Sequence, residues 1–301
     1  YAAFAASTAA GAIFSVFLYS RMFPLCGLFA GVRFNAEAKS LLGFSAPIGL
    51  YDLLNQLMQR VDLFAVGRLF PAAAAGVYGM AQESSFFVKK IRQAFDPILI
   101  PVISGASQKR DFAGMSAHYK RVFGVILTFN LAALGAVLLA GGTILSLFGE
   151  KFSSGAAVFS VLTFAAAANG AFGLSELFIL VERPMINLLN SALATVISIA
   201  LAWTLASRFG VIGAAYAAAA TFVIMNAARI IETRAITGLH PFGTNNLVVA
   251  LCAAGALCPA FIFSAFAPLA KTPKEIASAF IFLSLYAASL LLTKRIKKIK
   301  P

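Results

Sequence analysis

The chain of 301 residues is 60% hydrophobic and only 12% charged, and its formal net charge is +13. A soluble domain of this length needs far more charge to cover its surface, so the soluble classes are excluded. The excess of basic residues does not indicate nucleic acid binding, because most of them lie in loops, at helix ends and in the C-terminal tail, as the positive-inside rule expects.

Nine long apolar segments follow one another along the chain, each able to cross ~30 Å of hydrocarbon. Because backbone polar groups inside a bilayer must be satisfied within the segment, we expect an all-α, polytopic transmembrane helix bundle of about nine spans. The ~10-residue alternating segments of a membrane barrel do not occur in the sequence. The predicted spans are 1–20, 40–67, 73–104, 115–141, 154–181, 185–208, 211–237, 245–268 and 274–293.

The first predicted span starts at Tyr1 with no methionine or signal peptide before it, so we expect further helices to precede it in the complete protein. The segment 21–39 then reads as a connector between two helical bundles. Most loop lysines and arginines fall on the side of this connector and of the C-terminus. The positive-inside rule therefore predicts a cytoplasmic C-terminus, whose basic tail we expect to contact anionic inner-leaflet lipids.

The second predicted span has one polar face, whose members lie three or four residues apart like neighbours on a helix. Polar and charged groups inside a span are costly and usually face a protein interior or an aqueous cavity. We therefore expect this helix to line a hydrated cavity. The face consists of Asp52, Asn55, Gln56 and Gln59, flanked by Arg60 and Asp62.

The third predicted span repeats this design, and two interpretations of its basic residues stay open. They could extend to the inner headgroups, with only their aliphatic stems in the hydrocarbon. The apolar run 97–103 that follows them favours a protein-lined vestibule instead. The polar stripe consists of Gln82, Ser85, Lys89, Arg92, Gln93 and Asp96, with Glu83 and Lys90 beside it.

The later spans hold single polar residues that are typical of contacts between helices. Glu176 calls for a partner or a proton, but its place near a helix end favours an interfacial position. Catalytic motifs such as Gly-x-Ser-x-Gly or His-Glu-x-x-His do not occur. The three cysteines and two histidines show no metal-binding spacing. We expect neither an enzyme nor a cofactor or metal site.

Several short motifs resemble one family in their order and in their positions relative to the spans. They are Phe44-Ser45-Ala46-Pro47, Arg60-Val61-Asp62-Leu63-Phe64, Gly67-Arg68, residues 74–81, Ile91-Arg92-Gln93-Ala94-Phe95-Asp96-Pro97 with Pro101, residues 145–149 with Phe152, and residues 209–216. The family is that of the bacterial oligosaccharide flippases, the Wzx-type polysaccharide exporters. Their superfamily also holds multidrug extruders and the peptidoglycan lipid-precursor flippase.

The resemblance implies an architecture of fourteen helices with both ends in the cytoplasm. The nine spans would then correspond to helices six to fourteen. Residues 1–39 would hold the last helix of the N-terminal lobe and the connector. Residues 40–237 would form the C-terminal six-helix lobe, and residues 238–301 the two terminal helices and the basic tail.

The resemblance also implies a function: flipping an undecaprenyl-diphosphate-linked oligosaccharide across the bacterial inner membrane by alternating access. Glycosyltransferases and a polymerase of the same pathway are the implied partners. The implied substrate-binding residues are the cations Arg60, Lys89, Lys90 and Arg92 with the amides Asn55, Gln56 and Gln59. Candidates for ion pairing or ion coupling are Asp52, Asp62, Glu83 and Asp96.

Two alternatives stay open. A cation-coupled drug extruder of the same superfamily should have a mainly apolar and acidic pocket, whereas basic residues outnumber acidic ones in the inner half of this cluster. A membrane glycosyltransferase or polymerase should have a large loop carrying paired catalytic groups, and the sequence contains no such loop.

Overall fold

A computed structural model describes residues 2–22 and 36–299, which are helical almost throughout and contain no β-strand. The expected all-α bundle is confirmed. The helices are α1 (Ala2–Met22), α2 (Ala36–Met58), α3 (Val61–Leu69), α4 (Ala72–Gln93), α5 (Asp96–Lys109), α6 (Phe112–Ser146), α7 (Ala156–Phe172), α8 (Leu174–Glu182), α9 (Pro184–Phe209), α10 (Val211–Thr237), α11 (Thr244–Phe266) and α12 (Lys271–Ile299). A 3-10 turn, Glu150–Gly155, leads into α7.

Six helical segments in the described part of the chain are long and apolar enough to cross a membrane, so the protein is a multi-pass membrane protein. Five contain most of α6, α9, α10, α11 and α12, and the sixth, Glu150–Phe172, joins the 3-10 turn to α7. All six coincide with predicted spans. Their apolar length identifies them, because a chain in hydrocarbon must satisfy its backbone groups helically.

Three predicted spans are interrupted instead of continuous. Span 40–67 breaks at residues 59–60, between α2 and α3, and span 73–104 breaks at residues 94–95, between α4 and α5. Span 154–181 breaks at Gly173, between α7 and α8. The first two breaks lie within the polar stretches 52–62 and 89–96, whereas the third lies among largely apolar residues.

The chain divides into two compact units, residues 1–47 and residues 48–301. In the first unit, α1 exposes apolar side chains such as Ile13 and Phe14, as a helix in contact with lipid does. Part of the predicted connector, residues 23–35 with Cys26, lies outside the described residues. The same holds for Lys300 and Pro301 of the predicted basic tail.

The core of the second unit is organised along α6. This helix has 35 residues with a kink at Ala140, and its buried side chains enter three separate apolar clusters. One cluster joins it to α4, α7 and α10, a second to α5 and α8, and a third to α11 and α12. Small residues permit the closest approaches, as at Gly135, where a Cβ would collide with the Phe282 ring.

Candidate functional site

The polar faces of α2 and α4 meet at a pocket of about 480 Å³ in the second unit. The breaks after α2 and after α4 both lie at its wall, and α8 contributes Glu176. Membrane transporters often bind ligands where helices are discontinuous in this way. The wall contains nine of the eleven predicted site residues: Asp52, Asn55, Gln56, Gln59, Arg60, Lys89, Lys90, Arg92 and Asp96.

Both arginines of the pocket are paired with carboxylates. The Arg60 guanidinium forms an ion pair with Glu83 and lies over the Phe86 ring, with 5.4 Å between Cζ and the ring centroid. Arg92 is only 7% exposed, and its Nη1 lies 3.5 Å from Asp96 Oδ1, one helical turn further on. These contacts orient the two guanidinium groups and offset part of their charge.

The two lysines of the pocket lack such partners. Lys89 donates from Nζ to the side-chain oxygen of Gln59 at 2.5 Å, and Lys90 is exposed. Neither lysine forms an ion pair with any residue in the ranges 2–22 and 36–299. The charges of Arg92 and Arg229 repel that of Lys89, so an anion entering the pocket would relieve this repulsion.

Amide side chains line the pocket beside the lysines. Gln59 donates from Nε2 to the backbone oxygen of Asn55 at 3.1 Å, and Asn55 donates from Nδ2 to the Tyr51 hydroxyl at 3.3 Å. Gln56 is exposed. An amide presents both donors and acceptors, as the hydroxyl groups of a sugar require. The pocket therefore combines unpaired cations with neutral hydrogen-bonding groups.

Two of the predicted acidic residues lie away from the pocket wall. Glu83 forms an ion pair with Arg60. Asp62 is 3% exposed and accepts hydrogen bonds from the Tyr78 hydroxyl at 2.6 Å and from Gln82 Nε2 at 2.8 Å. Within the described residues Asp62 forms no ion pair, since its carboxylate accepts these hydrogen bonds from α4 instead. A role of Asp62 in ion coupling stays a prediction.

A buried polar cluster at the wall of the pocket was not predicted from the sequence. Glu176 is 5% exposed, accepts a hydrogen bond from the Tyr51 hydroxyl and lies 3.2 Å from Arg229 Nη1. The expectation of an interfacial Glu176 is therefore corrected, and Arg229 is buried with it at 3% exposure. A signal was available, because Asn226, Arg229 and Thr233 are spaced along one face of α10, and all three are buried.

Comparison with known proteins identifies one family. The model of a family described as "Polysaccharide biosynthesis protein" matches residues 1–157, about half of the chain. No curated protein and no solved structure matches the chain. Within the described residues, no group of three or more His, Cys, Asp and Glu side chains is arranged to bind a metal ion.

Proposed function

Since the chain belongs to the polysaccharide biosynthesis protein family, we propose that it moves a lipid-linked oligosaccharide from the inner to the outer leaflet of the bacterial inner membrane. The substrate would be joined to undecaprenol through a diphosphate. Transport would proceed by alternating access without covalent chemistry. The C-terminus would be cytoplasmic, and enzymes that build or polymerise the same glycan would be the partners.

The pairing pattern of the pocket carries this proposal. Arg60 and Arg92 are held by carboxylates, whereas Lys89 and Lys90 are available to an incoming anion. A diphosphate leaving water loses its hydration and needs cations and hydrogen-bond donors in exchange. A lysine ammonium supplies such a charge from a flexible stem, so it can follow a phosphate during a conformational change.

The rest of the pocket suits the sugar portion of the same substrate. Asn55, Gln56 and Gln59 line it next to the two lysines, so a glycan hydroxyl could bind within a few ångströms of the diphosphate. A cationic drug would instead meet the repulsive charges of Lys89 and Lys90. The geometry therefore favours an anionic, hydroxyl-rich headgroup over the substrates of a drug extruder.

The proposal is tested by neutralising both lysines in the double variant Lys89→Gln/Lys90→Gln. Loss of two charge-assisted contacts to the diphosphate should slow translocation by roughly tenfold or more. The initial rate is measured in proteoliposomes with a fluorescent undecaprenyl-diphosphate oligosaccharide, and surface glycan is measured in cells. Glutamine can still hydrogen-bond to Gln59, so folding should be preserved.

The matched control is Lys271→Gln/Lys274→Gln, which removes the same charge from the first turn of α12, away from the pocket. It should translocate at the wild-type rate. Equal rates for both double variants, at equal amounts of folded protein, would refute the assignment of the lysines to the substrate diphosphate. A pocket variant that exports cationic dyes faster than the wild type would point to a drug extruder.

A further inference from the structure

A second polar cleft lies between residues 117–128 of α6 and the start of α11, separate from the candidate site. Its volume is about 810 Å³, and it has no lining residue in common with the candidate pocket. The basic side chains of His118, Lys120 and Arg121 contribute to one wall. None of the described residues that line the cleft is acidic, so no lining side chain offsets the positive charge of the basic ones.

The cleft changes character along its length. Lys120 and Arg121 lie near the end of α6 that begins at Phe112, whereas Val125 and Thr128 lie one to two turns further into the helix. Val249 occupies the corresponding position on α11. The wall is therefore cationic near the helix starts and mainly apolar toward the middle of the spans, which matches the polarity of a phospholipid.

The apolar part of the cleft opens to the surroundings of the helices. Val125 lines the cleft and is 37% exposed, and Phe129, one turn further along the same face, is 55% exposed. Since α6 crosses the membrane, this exposed ridge faces hydrocarbon. A lipid tail could continue along it without crossing a polar barrier.

Asn246 forms the floor of the cleft. Asn246 is buried and donates from Nδ2 to the backbone oxygens of Lys120, at 3.4 Å, and of Pro241, at 2.8 Å. Gly124 lies against it so closely that a Cβ would collide with the Asn246 side-chain oxygen. This contact joins the start of α11 to α6 at the cleft.

We infer that this cleft binds one anionic glycerophospholipid, with the phosphate between Lys120 and Arg121 and an acyl chain along Val125 and Phe129. Basic pockets between transmembrane helices at a membrane surface are suited to such headgroups. A soluble anion would use the charges but would leave the apolar wall uncovered. The assignment requires only that the chain spans a membrane, so it stands independently of the proposed transport activity.

The test compares lipid binding by two double variants of the full-length protein. In Lys120→Gln/Arg121→Gln the headgroup site loses both charges, while the backbone oxygen that anchors Asn246 remains. In the matched control, Lys109→Gln/Arg110→Gln, an exposed basic pair at the end of α5 is neutralised, outside the cleft. Native mass spectrometry of the purified protein titrated with phosphatidylglycerol gives the dissociation constant of the first bound lipid.

We expect the cleft variant to bind phosphatidylglycerol roughly thirtyfold more weakly than the wild type, since two surface-proximal charges are lost. The control should bind within about threefold of the wild type. Phosphatidylcholine, which has no net charge, should bind weakly to all three proteins. Competition by phosphatidylglycerol but not by millimolar inorganic phosphate would support a lipid site.

Three results would overturn the inference. The first is equal phosphatidylglycerol affinity in the cleft variant and the control. The second is equal affinity of the wild type for phosphatidylcholine and phosphatidylglycerol. The third is a different ligand. Displacement of the bound lipid by inorganic phosphate would assign the cleft to a free anion, and preferential binding of a polyprenyl diphosphate would assign it to the transport substrate.

Discussion

Glu176 occurs in an apolar stretch of the sequence, yet its carboxylate contacts two polar partners that lie far away in the chain. Tyr51 comes from α2 and Arg229 from α10, and all three side chains are buried. A charged group in such surroundings is tolerated only when it is paired. The cluster therefore joins the wall of the candidate pocket to the packing of α8 against α10.

Removing one member of the buried ion pair should destabilise the protein more than removing both. We expect Arg229→Met to lower the free energy of unfolding by about 3 kcal/mol, because it leaves the Glu176 carboxylate without its cation. The double variant Glu176→Gln/Arg229→Met should recover part of this loss. Both values are measured by denaturant unfolding of the purified protein in micelles.

Arg234→Met is the control for this prediction, because Arg234 is exposed on the same helix. It should change stability by less than about 0.5 kcal/mol. If Arg229→Met were as stable as this control, or if the double variant were less stable than Arg229→Met, the buried pair would not stabilise the fold in this way.

At the scale of elements, the breaks within predicted spans give the pocket its form. Each break separates two helices close to the polar cluster. At Gly173, between α7 and α8, a Cβ would collide with the Asn169 carbonyl oxygen. The missing side chain therefore permits the turn that buries Glu176 three residues later.

Gly173→Ala should accordingly be destabilising. Since the added methyl group forces the backbone apart, we expect a loss of about 1–3 kcal/mol in the free energy of unfolding. Gly255→Ala in α11 is the matched comparison, because nothing lies within 4 Å of the Cβ position there. That variant should be neutral or stabilised by up to about 1 kcal/mol, as alanine favours helix.

Thermal and denaturant unfolding of the two glycine variants, followed by helical circular dichroism, provide the measurement. The same unfolding free energy for Gly173→Ala and Gly255→Ala would show that the turn at Gly173 does not depend on the absence of a side chain. If the proposed transport function holds, Gly173→Ala should also translocate substrate more slowly than Gly255→Ala, because α8 would be displaced.

At the scale of the whole molecule, the orientation in the membrane is a prediction that follows from charge. Lysines and arginines concentrate on one side of the predicted spans, and the C-terminal tail adds to that side. The long apolar helices confirm that the chain crosses the membrane several times. Which end of each helix faces the cytoplasm depends on the charges at the helix ends, because these charges orient the helix while it is inserted into the membrane.

Cysteine labelling tests this orientation. After Cys26, Cys252 and Cys258 are replaced by serine, single cysteines are introduced at Ser107 and at Ser154. A membrane-impermeant maleimide added to intact cells should label position 154 and leave position 107 unlabelled until the membrane is opened. Ser154 lies in the 3-10 turn and is exposed, so its reactivity also serves as the positive control. Labelling of position 107 from outside would reverse the topology.

The predicted site residues show where sequence reasoning succeeded and where it did not. Helical spacing predicted that Asn55 and Gln59 share one helix face, because residues three and four apart are neighbours on a helix. That Lys89 of α4 lies at the same pocket follows from the packing of the helices, and so does the contact of Asp62 with Tyr78. Sequence reasoning also missed Arg229, because its partner is distant in sequence and the pairing exists only after folding.

The sequence by itself determined the class of the protein. Apolar length requires membrane-spanning helices, because an unsatisfied backbone is too costly in hydrocarbon, and this holds whatever the helices pack against. Only the tertiary structure decided where spans break and which charges are neutralised. Those outcomes depend on contacts between distant residues, such as Arg60 with Glu83 and Glu176 with Arg229, and the energy of a buried charge is set by the partner that folding brings to it.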